Sequence, residues 1–252
     1  MIKKILALIG VIIVITIIST TFLLATGKLK IFFEPGANKE LTKTYDRDFR
    51  RLSLDFPADF TIKPSNENKV VISGGKNVLE FLNITQTSRT LGFSIIENDW
   101  FYRTGWSISG NNRPSIVIYT TKVEELIVDG ESKLSIQNTN TEQFNLDFRG
   151  KQSVIIDQLT TPKAAIKTTG TGFVDISGKT DNLDLNASGT GRILLRNLEA
   201  KNATILANST GAIEVFVTEK LSEQIISSGI VKYRGSPEIN KKLSGTGDVI
   251  RL

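Results

Sequence analysis

Histidine and cysteine are both absent from this 252-residue chain, and methionine occurs once. Without histidine the commonest general base and zinc ligand are missing. Without cysteine, thiolate nucleophiles, disulfides and cysteine-linked lipid anchors are excluded. Catalysis would have to rest on carboxylates with lysine or arginine, and an exported domain would be held together by its hydrophobic core alone. An excess of one charge is also lacking. The net charge is +5, but Lys3, Lys4, Lys28 and Lys30 are four of the 31 basic residues, leaving 27 against 26 acidic ones. So balanced a surface offers no basic face to displace counterions from phosphates, which excludes nucleic acid as a partner. No cofactor and no resident metal are expected.

Residues 5–25 form an uncharged, mostly apolar run preceded by Lys3 and Lys4. At a rise of ~1.5 Å per residue that run spans about 31 Å, the thickness of a bilayer's hydrocarbon core. It exceeds the apolar stretch of a cleavable signal peptide, although Leu24-Ala25-Thr26-Gly27 resembles a weak cleavage site. The expectation is a membrane anchor over 1–27 with its N-terminus in the cytoplasm, placing everything after it outside the cytoplasm, in the periplasm or at the cell surface. Residues 28–44, with Pro35-Gly36-Ala37-Asn38, read as a juxtamembrane linker.

From Tyr45 onward apolar residues alternate in short stretches, as in Leu52-Ser53-Leu54-Asp55-Phe56 and Ser115-Ile116-Val117-Ile118-Tyr119, the period of a strand with one buried face. A glycine- or serine-led turn then returns every 18 to 20 residues, at Gly130, Gly150, Gly170, Gly189, Ser209, Ser227 and Gly245. Aligned on these turns, Leu134, Val154, Val174, Ile193, Ile213, Val231 and Val249 form one inward column. Val128, Phe148, Thr168, Ala187, Ala207, Ile225 and Leu243 form another. The mixed set Ser135, Ile155, Asp175, Leu194, Glu214, Lys232 and Ile250 lies between them and points outward. One strand, one tight corner and a second strand in about twenty residues make one coil of a solenoid. The predicted fold is all-β: a single-stranded, right-handed parallel β-helix over 45–252, regular from about 122, behind one N-terminal transmembrane helix. The turn glycines Gly170, Gly172, Gly189, Gly191, Gly211, Gly229, Gly245 and Gly247 are expected because a tight corner repeated in every coil needs positive φ or close backbone approach, where a side chain would clash. Thr171, Thr190, Thr210 and Thr246 should stack as a hydroxyl ladder.

The recurrent Ser188-Gly189-Thr190-Gly191 and Ser244-Gly245-Thr246-Gly247, with Thr169-Gly170-Thr171-Gly172 as a variant, resemble the bacterial exported family of putative auto-transporter adhesins with a head GIN domain. So does the closing run Val231-Lys232-Tyr233-Arg234-Gly235-Ser236-Pro237-Glu238-Ile239. A looser likeness reaches back to Phe49, covering about 200 of the 252 residues. The resemblance implies a β-helical fold and an exported location. The chain departs from the pattern at Ser209 and Ser227, where the leading glycine is missing.

A search for chemistry yields little. Asp175 and Glu214 share a column two coils apart, about 10 Å, beyond the ~6.5–9.5 Å of an inverting glycosidase pair. Asp147 precedes Lys167 by one coil, and Asp157, Ser177 and Arg196 read as a further column. Asp46-Arg47-Asp48 alone has the spacing of a calcium loop. The Gly-Thr-Gly turns open no helix and so are corners rather than phosphate loops. Trp100, Tyr102, Arg103 and Trp106 concentrate aromatic rings and a guanidinium that can stack on sugars or a protein, or else cap the solenoid. The expected function is therefore a non-enzymatic, membrane-tethered module, adhesin-like, with a polysaccharide or protein partner at the cell envelope. A carbohydrate-active lyase or hydrolase and a structural or signalling envelope protein are the alternatives. Nothing in the sequence bears on the oligomeric state.

Overall fold

The computed structural model describes residues 35–96, 108, 112–151 and 153–252. Strands β1 (Asn38–Thr44), β2 (Arg51–Asp55), β3 (Asp59–Pro64) and β4 (Lys69–Gly75) lead into a one-turn helix α1 (Lys76–Leu79). After it come β5 (Leu82–Thr87), β6 (Thr90–Ile95) and β7 (Ser115–Thr120). The remainder is β8 (Glu125–Val128), β9 (Lys133–Gln137), β10 (Gln143–Phe148), β11 (Ser153–Thr168), β12 (Phe173–Gly189), β13 (Arg192–Ser209), β14 (Ala212–Ile225), β15 (Ile230–Arg234), β16 (Glu238–Leu243) and β17 (Asp248–Arg251).

From β8 onward every pairing is parallel. A rung is one strand arm, the glycine corner and a second arm. The seven rungs are β8 with β9, β10 with the start of β11, three more divided among β11 to β14, β14 with β15, and β16 with β17. Their returns make a solenoid of about six turns. Leu134, Val154, Val174, Ile193, Ile213, Val231 and Val249 are successive partners across it, in the register expected from the turn spacing. The second corner is closed by hydroxyls. Buried Thr141, Thr161 and Thr180 each donate to the carbonyl two residues on, at 3.1, 3.0 and 3.1 Å. This satisfies a polar side chain where the chain bends into the core.

The first half departs from a simple run of coils. β2 pairs in parallel with both β6 and β8, and β3 with both β7 and β9. The rung formed by β2 and β3 is thus inserted between the β6/β7 rung and the β8/β9 rung, out of chain order. Ser132, fully buried at the β8–β9 corner, donates to the carbonyls of Phe56 at 2.7 Å and Leu54 at 3.3 Å. Arg113, whose side chain is 5 % exposed, is fixed to Asp59 at 2.9 Å and to the carbonyls of Ala58 and Glu131. Beyond this, β4 on β7, β1 on β4 and β5 on β6 are antiparallel and cover the N-terminal end. β1 occupies part of the stretch read from the sequence as a linker. All seven of its residues are exposed, and its Lys39, Glu40 and Lys43 blunt an open sheet edge.

Three details of the predicted columns are corrected. Leu194 is buried, 8 % exposed, rather than outward, because β13 shifts register after Leu195 and packs Ile193, Leu194 and Leu195 in succession. Ser177 pairs with Asn197, not Arg196, across a second irregularity. Arg196 turns to Glu214 at 3.3 Å instead. Leu243 is 42 % exposed because it belongs to the last rung, with no further coil to cover it. Among the described residues no helix is long and apolar enough to cross a membrane, and the proposed anchor at 5–25 lies outside them.

One inward column carries a charge. Ile205, Glu223 and Lys241 are successive partners, and Glu223 is 4 % exposed with both carboxylate oxygens unpartnered. Burial pushes its pKa up to about 7, opposed by the Lys241 charge on the terminal rung. The unfolded chain releases this proton near the ordinary glutamate value of 4.5. Between those two values the folded state binds more protons, so stability falls as pH rises, and the full penalty applies above about 7. Glu223→Gln is expected to stabilise the protein at pH 8 by about 3 kcal/mol and to change little at pH 4. Urea denaturation at both pH values measures this, and an equal effect at the two would contradict it.

Candidate functional site

The four residues singled out as a partner site, Trp100, Tyr102, Arg103 and Trp106, lie outside the described residues. What the fold presents instead is two outward faces and the corner between them. Because successive rungs are ~4.8 Å apart, residues far apart in sequence become neighbours on these faces.

On the face built by β8, β10, β11 and β12, a shallow groove of ≈ 260 Å³ runs over Ala165, whose small side chain leaves a dip between Asn145 and Asp184. Glu125, Asp147, Lys167 and Asn186 complete its polar lining. The sequence pairing of Asp147 with Lys167 appears here as adjacent rungs. Glu125 and Asp184 belong to the same groove only through a register spanning four strands, a signal that counting back from the turns could have given. Two of its three acids are neutralised locally. Arg51 holds Glu125 at 2.6 Å and Arg149 holds Asp147 at 2.7 Å. The hydrogen bond from Arg149, aided by its charge and that of Lys167, keeps the Asp147 carboxyl below its usual range despite partial burial. A carboxylate held ionised in this way does not serve as a general acid. At the neighbouring corner Asp55 is shifted upward, by burial first and by the charge of Asp129 second.

The Gly-Thr-Gly corner shows why glycine recurs. A Cβ on Gly170 would lie 2.0 Å from the Gly150 carbonyl oxygen, and one on Gly211 would lie 1.9 Å from that of Gly191. The same approach, at 2.2 to 2.4 Å, holds for Gly189, Gly191, Gly229, Gly245 and Gly247. Gly172 lies beneath Gly191, whose Cβ would meet its carbonyl oxygen. Thr171, Thr190, Thr210 and Thr246 stand exposed at the same turn position. Beside them Lys151, Thr171, Phe173, Thr190 and Arg192 line an open groove of ≈ 510 Å³. No metal-binding cluster occurs among the described residues. In the Asp46-Arg47-Asp48 stretch, Asp48 is committed to Arg50 at 3.1 Å and Thr121 at 3.3 Å.

Comparison with known proteins gives one family: that described as putative auto-transporter adhesin, head GIN domain, matches residues 48–237. A crystal structure of a protein from Bacteroides fragilis described as a putative adhesin superposes with a TM-score of 0.75 at 23% identity, covering 85% of this chain and 97% of that one. A protein from Parabacteroides distasonis described as a putative lipid binding protein gives 0.66 at 20% identity, covering 84% and 96%. One from Parabacteroides merdae described as a putative adhesin gives 0.59 at 17%, covering 86% and 97%. At these identities the likeness is one of fold. None of the curated proteins matches.

Proposed function

We propose, on the premise that the chain belongs to the putative auto-transporter adhesin, head GIN domain family, that it is a non-enzymatic interaction module: a right-handed β-helix tethered to the membrane by residues 5–25. Its outward faces meet an extended polymer or protein at the cell envelope. The observation that carries this reading is the shape of the surface. Its grooves are open and shallow and run across several rungs, one lined by amides and carboxylates around Ala165, the other by hydroxyls with Lys151, Arg192 and Phe173. Small-molecule sites are enclosed clefts that bury most of their ligand. The anchor rests on the uncharged run behind Lys3 and Lys4, which is long enough to span.

The test is a screen of the full chain in detergent against an array of glycans and cell-wall polymers, with Trp106→Ala as the comparison. Saturable binding is expected. Its absence across polymers and envelope protein extracts would overturn the reading, and binding abolished by Trp106→Ala would place the contact at the tryptophan patch. A second reading, a glycan-cleaving enzyme, is favoured only by the upward shift of Asp55 beside Asp129. Product release lost in Asp55→Asn would support it, and no product from any bound glycan would dismiss it.

A further inference from the structure

The corner groove combines features that recognise one kind of ligand. Ser153, Phe173 and Arg192 are successive register partners, so the Phe173 ring has a guanidinium on the next rung. Lys151 and Arg192 are exposed, and among the described residues neither has a carboxylate within ion-pair distance. The backbone adds donors. Among the described residues the N–H groups of Thr171, Gly172, Thr190 and Gly191 find no acceptor, although all four residues line the groove. The glycines bring consecutive coils so close that carbonyls stack on glycine Cα atoms, and on these two rungs the turn amides stay outside the ladder, whereas the equivalent amides of Lys151, Thr210 and Gly247 bond to the preceding coil. Successive unpaired N–H groups in a turn are a known means of holding anions. Here they recur on two adjacent rungs, with a hydroxyl on each.

We infer that this corner binds a linear polysaccharide bearing carboxylate groups, the carboxylates held by Arg192, Lys151 and the turn amides, and the sugar rings lying along Phe173 and the Thr171–Thr190 hydroxyls. Arginine pairs with a carboxylate through two parallel hydrogen bonds. The apolar ring surface and the hydroxyls match a sugar, whereas an inorganic polyanion would use only the charges. Glu131, at the turn position one rung before Lys151, and Asp175, two residues beyond Phe173, bound the basic area and limit how many charges the ligand can place there. This inference rests on the interaction-module reading and names its ligand class.

The experiment is calorimetric titration of the full chain in detergent with polygalacturonate, with dextran as the neutral polymer and polyphosphate as the sugar-free polyanion. Polygalacturonate is expected to bind saturably, more weakly as salt rises, and dextran not at all. The double substitution Lys151→Gln with Arg192→Gln should weaken binding by roughly tenfold or more with an unchanged melting curve. Polygalacturonate bound equally well by the double variant would remove this corner while leaving the module reading intact. Polyphosphate bound as tightly as polygalacturonate would overturn the assignment to a sugar. Failure of all three polymers would overturn the inference, while binding elsewhere on the polymer array would still uphold the broader reading.

Discussion

Gly211→Ala is expected to destabilise the protein by ~3–5 kcal/mol, lowering the melting temperature by about 10 °C for a chain of this size. The new Cβ would stand 1.9 Å from the Gly191 carbonyl oxygen and 3.0 Å from its carbon. Both atoms are backbone, so neither can rotate away, and two rungs must separate locally. Gly130 makes the comparison informative. It has a φ of 62°, but its Cβ would meet only Asp55 Oδ1, at 3.5 Å. Gly130→Ala should therefore cost only the left-handed backbone, about 1 kcal/mol. Thermal melts followed by circular dichroism measure both, and Gly211→Ala melting with the wild type would refute the stacked-corner geometry.

Val174→Asp is the second large effect. Val174 is 1 % exposed and stacked between the apolar Val154 and Ile193 in the inward column. An unpaired carboxylate in that position is expected to cost several kcal/mol, and Ile193→Asp the same. One residue on, Asp175 faces outward, and Asp175→Ala should change stability by less than about 0.5 kcal/mol. Comparable losses for Val174→Asp and Asp175→Ala would show that the column does not point into the core.

The regular part of this fold was legible because two independent signals coincide in it. The carbonyl-on-glycine contact demands glycine at one fixed point of nearly every coil, and the apolar columns repeat in step with it from Leu134 to Val231. The N-terminal third was not. Its strands alternate plainly enough, but nothing in Leu52-Ser53-Leu54 says that its neighbours are Leu91-Gly92-Phe93 on one side and Leu126-Ile127-Val128 on the other. Insertion out of chain order leaves no period to find. The burial of Leu194 escaped for a local reason, since an irregularity in β13 breaks the alternation on which the column rested. Glu223 was within reach, because strict alternation back from Ile225 places it inside. A charged residue in an inward position contradicts the usual rule and needs a structure to confirm it. At the candidate site, the glycines and threonines of the corner were read from spacing alone. The unpaired amides beside them were not, because hydrogen-bond vacancy is a property of how rungs stack rather than of residue type. The Trp100–Trp106 patch falls outside the described residues and carries no weight in the groove geometry.

The insertion of β2 and β3 makes the strand ladders continuous from the N-terminal cap to the last rung, and so gives the solenoid uninterrupted outward faces. It can be tested with one cross-link. Thr61 and Ser135 are outward register partners on β3 and β9, seventy-four positions apart in sequence. Neighbouring strands at ~4.8 Å fall within the Cα separations a disulfide spans. The chain has no cysteine of its own, so a Thr61→Cys, Ser135→Cys variant can form only this intramolecular bond. Rapid, near-complete cross-linking on mild oxidation is the predicted result, with a Thr61→Cys, Ile155→Cys pair, one rung further, remaining reduced. A Thr61–Ser135 pair that stays open in the folded protein, or a control pair that closes as readily, would contradict the inserted rung.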